Sequence, residues 1–173
     1  MFKNQLHNLK AYRKDREDLR DAALENPLYL EEVIQLAFAP TDPNHHKACW
    51  VLELICEKQL EVIYPYIEQL CNTLPLYTNE SAIRPIAKVM VFLTHQYREK
   101  LSESQRQKLI ETSFDWLISD TKVAAKAYAM EILFELGKYY DWIHPELKQI
   151  LSQDYTKHSA GYQARARMIL KEL

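Results

Sequence analysis

Pro65-Tyr-Ile-Glu-Gln-Leu70 and Pro145-Glu-Leu-Lys-Gln-Ile150 carry one pattern: proline, any residue, apolar, any residue, glutamine, apolar. A looser copy opens at Pro27, and a fourth opens at Gln107 without the proline. The starts 27, 65, 107 and 145 lie 38, 42 and 38 residues apart. A basic residue follows each start by 19 or 20 positions: Lys47, Arg84, Lys126 and Arg165. Five or six residues before each of these stands a capping type: Asp42, Asn79, Asp120 and Ser159. Three places after them come Trp50, Ala87, Ala129 and Met168, and eight places after come Ile55, Phe92, Phe134 and Leu173. This spacing predicts one helix face turned inward in every copy. Self-similarity at a period of about 40 marks stacked units that cannot bury their apolar faces alone.

Starts and stops along the chain fit helices. Asn26-Pro27 and Asp42-Pro43 place a capping side chain before proline, whose missing N–H costs nothing in a first helical turn. Ser102 with Gln105 reads as a capping box, and Asp120-Thr121 and Ser159 as further caps. Expected helices are 3–24 (broken near Lys14), 27–39, 43–58, 62–74, 79–99, 103–118, 121–139, 144–154 and 159–172. Pro85 falls inside one of them and is expected to kink it. No sustained alternation argues for a sheet. Glycine occurs twice, at Gly137 and Gly161, which excludes Gly-rich phosphate loops and disfavours turn-rich β architecture.

The capping Asp or Asn, the basic residue five or six later, the apolar positions behind it and Pro85 together resemble the HEAT/armadillo-like family over residues 26–173. The resemblance implies an all-α, right-handed α–α superhelix of about four two-helix repeats. We expect a single domain over 1–173, in which 1–25 is an N-terminal helical cap of mixed charge. In stacks of this family the basic residue pairs with an acidic cap of a neighbouring unit, so Lys47, Arg84, Lys126 and Arg165 are assigned as structural repeat positions. Copy three lacks its proline, and copy four has Ala160 and Gly161 where acidic or apolar residues are usual.

The first helix of each unit carries a polar stripe. Four residues after each start lie Glu31, Gln69, Glu111 and Gln149, and eight after lie Gln35, Thr73, Asp115 and Gln153. These are successive turns of one face. By the family resemblance the stripe lines a groove, polar to mildly acidic, suited to a peptide or a basic partner. Tyr66 and Tyr77 are the expected aromatic anchors. The expected role is therefore a non-catalytic protein-binding scaffold with no cofactor and no metal.

Other functions have less support. Net charge is −2 in a chain of 173 residues, so nothing advertises nucleic acid or an anionic membrane. The alternative reading resembles HEAT-like alkylpurine DNA glycosylases, which use tryptophan, Asp and Arg in a basic groove. Trp116 after Asp115, Trp142 after Asp141, and the run Lys157, Arg165, Arg167, Lys171 are its local support. A terminal unit without a further helix raises self-association through Leu170 and Leu173. His45 and Cys49 are one helical turn apart, but a metal site needs three or four ligands. HExxH, CxxC and Gly-x-Ser-x-Gly motifs are absent. Cys49, Cys56 and Cys71 read as reduced core thiols of a cytoplasmic protein without a signal peptide or membrane span.

Overall fold

The computed structural model describes residues 2–153 and 155–173, so the expected helix end at 154 lies outside the described residues. Among them are ten α-helices and no strand. In chain order they are α1 (Phe2–His7), α2 (Arg13–Glu25), α3 (Pro27–Ala37), α4 (His45–Lys58), α5 (Ile67–Thr73), α6 (Glu80–Gln96), α7 (Glu103–Ile118), α8 (Val123–Leu136), α9 (Ile143–Ser152) and α10 (Ala160–Leu170). A 3₁₀ segment, Leu60–Tyr66, leads into α5. No helix is long and apolar enough to cross a membrane.

Local chemistry sets most boundaries. The Asn26 side chain accepts from the Leu28 N–H at 3.0 Å ahead of α3. Ser102 and Gln105 form the full reciprocal box ahead of α7, and the Ser159 hydroxyl accepts from the Tyr162 N–H. Asp42 instead caps a turn, accepting from the Asn44 N–H at 2.8 Å, and α4 begins later than expected. Thr121 does not cap α8; its hydroxyl donates to the Trp116 carbonyl at 2.7 Å and closes the end of α7. The gap expected near Lys14 falls at residues 8–12.

The chain divides between Phe92 and Leu93 into two compact units. In the first, α1 and α2 both pack on α3 and α4. The N-terminal residues thus form two helices that both lie against α3 and α4. The Phe2 ring stacks on Tyr29 with centroids 4.4 Å apart, and the Lys47 ammonium donates to the His7 carbonyl at the end of α1. Pro85 lies within α6. It lacks the N–H that the Ser81 carbonyl would accept, and the Trp50 indole donates to that carbonyl instead at 2.9 Å. Cys49, Cys56 and Cys71 are free and buried. Burial pushes the Cys49 and Cys56 thiols up, so they remain protonated.

In the second unit α8 packs against α7, α9 and α10. Ala125, Ala129 and Ile132 of α8 are buried, as are Tyr162, Ala166 and Ile169 of α10. Those two sets are offset by 37 residues, whereas Lys126 and Arg165 are offset by 39. Two residues rotate a helix by about 200°. Met168 is accordingly 60% exposed instead of facing inward. Gly137 is required by a close approach: a Cβ there would lie 2.0 Å from the His144 ring. The His144 Nε2–H donates to the Phe134 carbonyl at 2.8 Å, which satisfies the C-terminal end of α8 and fixes the turn into α9.

Candidate functional site

The second helices α2, α4, α6, α8 and α10 carry most of the paired charge. In the first unit the Arg84 guanidinium donates to Glu53 at 2.6 Å, and Lys88 reaches Glu53 at 3.3 Å and Glu57 at 3.2 Å. Lys58 meets Asp21 at 2.8 Å. In the second unit Glu131 accepts from Arg165 and contacts His95 at 2.9 Å. Two of the four repeat-position bases, Arg84 and Arg165, therefore meet mid-helix glutamates of a neighbouring second helix. Lys47 meets a backbone carbonyl. Lys126 has no partner among the described residues, consistent with the broken offset between α8 and α10.

The first helices bring part of the expected stripe together. The Tyr66 hydroxyl donates to Glu31 at 2.9 Å, and the Gln35 amide donates to the same carboxylate at 2.6 Å. The Gln35 amide and the Tyr66 hydroxyl hold the Glu31 carboxyl below the usual carboxylate range, and that bond raises the Tyr66 phenol. Beside them opens a cleft of about 280 Å³ lined by Glu31, Glu32, Gln35, Leu36, Ala39 and Asp42, with Lys3 as the one cation among the described residues that line it. Gln69 is exposed on α5. Two expectations are corrected here. Thr73 is buried, and its hydroxyl turns back to the Gln69 carbonyl at 2.8 Å. Tyr77 is also buried and donates to the Ala37 carbonyl at 2.8 Å, so it anchors the core and presents no ring to a partner.

In the second unit Glu111, Asp115, Gln149 and Gln153 are all exposed. Their side chains meet no partner among the described residues. Periodicity did not single out the turn between α8 and α9. There Trp142, 51% exposed, stacks on Phe114 of α7 with centroids 5.7 Å apart and planes 23° apart. The Arg98 guanidinium lies 4.0 Å over the Tyr139 ring. Tyr140 accepts from Arg106 at 2.9 Å and donates to Glu103 at 2.8 Å. The run Tyr139-Tyr140-Asp141-Trp142 after Gly137 is the sequence signal for this cluster, since aromatics gathered in a turn lie outside any helical face.

The remaining candidates are occupied by structural work. Trp116 is buried in the core, and Arg165 is tied to Glu131. His45 is buried; its Nδ1–H donates to the Asp42 carbonyl at 2.6 Å. Among the described residues no group of three or more His, Cys, Asp or Glu is placed to hold a metal ion. A family model described as a HEAT repeat domain matches residues 2–173. No curated protein and no solved structure matches the chain.

Proposed function

This chain belongs to the HEAT repeat domain family, and on that premise we propose a non-catalytic scaffold that holds a basic or amphipathic segment of a partner protein. Repeats of this kind present extended surfaces built from successive units and mediate protein interactions. The observation that carries the reading is the Glu31 carboxylate. Tyr66 and Gln35 fix its position in the lining of a cleft that also includes apolar Leu36 and Ala39. A carboxylate already oriented pays little ordering entropy on meeting a cation, and the carboxyl groups of Glu32 and Asp42 add to the same sign. Gln69 extends this polar surface in the first unit, and Glu111, Asp115, Gln149 and Gln153 offer its counterpart in the second. On this reading residues 1–173 act as one domain, and three reduced thiols support a cytoplasmic setting.

The test compares the wild-type chain with Glu31→Lys/Gln35→Lys. Binding is measured to short synthetic basic, neutral and acidic peptides and to protein partners captured from nuclease-treated lysate. Both chains should show the same helical circular dichroism. Basic peptides should bind best and lose about tenfold or more in the variant, the scale of an interface hot spot. Equal binding by the variant would remove the cleft from the function. Binding to nucleic acid alone, falling steeply with salt, would replace the scaffold reading with a phosphate-directed one.

A further inference from the structure

We propose that Trp142 is a stacking platform for an arginine of the partner segment, a proposal that rests on the scaffold reading and names what its second-unit surface recognises. Phe114 covers one face of the indole in a near-parallel stack. The other face accounts for the exposure of a side chain that a monomer would normally shield. Trp142 directly precedes α9. The turn that carries it is fixed on one side by the His144–Phe134 hydrogen bond and by the contact of His144 with Gly137. On the other side Tyr140 is tied to Arg106 and Glu103. The ring is thus held open by its surroundings and needs no reordering to receive a ligand.

Charge selects the occupant. Glu111, Phe114, Asp115 and Ile118 follow the i, i+3, i+4, i+7 spacing, so they share one face of α7. Ile118 on that face is 66% exposed. Glu111 and Asp115 carry two unpaired carboxylates beside the aromatic pair, and exposed Asp141 precedes Trp142. The nearest base on the helix, Lys108, is half-buried and already engaged. An exposed indole whose stacking partner shares a helix face with two carboxylates, and which follows a third in sequence, favours a cation over a neutral aromatic or a phosphate. A planar guanidinium stacks on the ring and bonds a flanking carboxylate in the same pose, which an ammonium does less well. Ile118 would then meet an apolar residue about one helical turn along the partner. The same residue types on the second helices, Glu53 and Glu131, already meet bases of this chain and offer no such vacancy.

The experiment follows indole N–H resonances of the full chain by NMR during titration with an alternating arginine–serine peptide. Lysine–serine and citrulline–serine peptides of equal length are titrated in parallel. Trp50 donates to Ser81 and Trp116 is buried, so both serve as internal controls. The Trp142 resonance should move and saturate with the arginine peptide, with at least threefold weaker binding of the lysine peptide. The citrulline peptide should bind about tenfold or more weakly. Trp142→Ala should lose the arginine preference, and Trp142→Phe, which keeps an aromatic face, should retain part of it. Equal response to lysine and arginine peptides would overturn the platform and leave only Coulomb attraction. An unmoved Trp142 resonance while the Gln35 side-chain amide shifts would overturn it too and leave the first-unit cleft standing. No shift at either place with any basic peptide would sink the platform and the scaffold reading together.

Discussion

Glu53 and Glu111 are both glutamates in the middle of long helices, and their surroundings differ completely. Glu53, on α4, is 4% exposed and is met by Arg84 and Lys88. Glu111, on α7, stands in solvent with no side-chain partner among the described residues. The contrast holds between rows. Glu53 and Glu131 on the second helices are met by bases of neighbouring second helices, and Glu111 and Asp115 on α7 are left open among the described residues. An ion pair between successive helix pairs of one unit fixes their mutual register, because sliding by one turn would strand a half-buried charge. A free carboxylate fixes nothing and costs nothing to leave hydrated. The open row is therefore where a partner can gain binding energy without first breaking the fold.

The largest expected effect tests how completely the second-helix row is enclosed. Ala129 on α8 is fully buried, two residues before Glu131. Ala129→Asp places an unpaired carboxylate among Met130, Ile132 and Leu133, all buried. The cost is about 3–5 kcal/mol, a large share of the stability of a domain this size. Circular dichroism melts should show the variant unfolded or melting far below the wild type. An unchanged melt would mean that α8 does not present this face to the core.

The second effect breaks the comparison directly. Glu53→Gln removes the charge shared by Arg84 and Lys88. The Arg84 side chain is 37% exposed, so it recovers hydration and the loss stays near 1–2 kcal/mol rather than the full cost of a buried pair. Glu111→Gln should change stability by less than about 0.5 kcal/mol. Urea titrations of the two variants decide it. Equal losses would erase the distinction between a register clamp and an open surface.

Much of this arrangement was legible in the residues. The repeat with its caps located the helices, because Asn26-Pro27 and Ser102 with Gln105 act through local hydrogen bonds that need no tertiary context. The Glu31–Gln35 face was legible for the same reason, since two residues four apart share a side of any helix. Its closure by Tyr66 follows from tertiary packing within the first unit. Tyr77 and Thr73 were misplaced because they lie at or near the end of α5, where 3₁₀ geometry replaces the regular turn and rotates side chains off the expected face. Met168 was misplaced because the basic residue of copy four stands two positions off the burial register. Trp142 sits in a turn that helical periodicity does not describe. The packing of His144 beside Gly137, the ties of Tyr140 and the stack on Phe114 together determine where its ring goes.

The smallest effect comes from protons on the closed row. His46 is half-buried on α4, and desolvation, with help from His45 and Lys47, lowers its pKa against a weaker raising influence from the Pro43 backbone. A histidine with a depressed folded pKa binds fewer protons folded than unfolded once the pH drops below about 6.5. Stability should therefore decline as pH falls through that point. The half-buried Asp21 carboxyl is held well below the usual range by Arg20 and then by Lys58. Its contribution is present above the unfolded value of about 4 and is lost only as pH falls below it. The two groups separate in pH, and between about 6.5 and 5 the slope belongs to His46 rather than to Asp21. Urea midpoints measured across that window should fall in the wild type and flatten in His46→Gln. A slope that survives the substitution would place the titrating group elsewhere than His46.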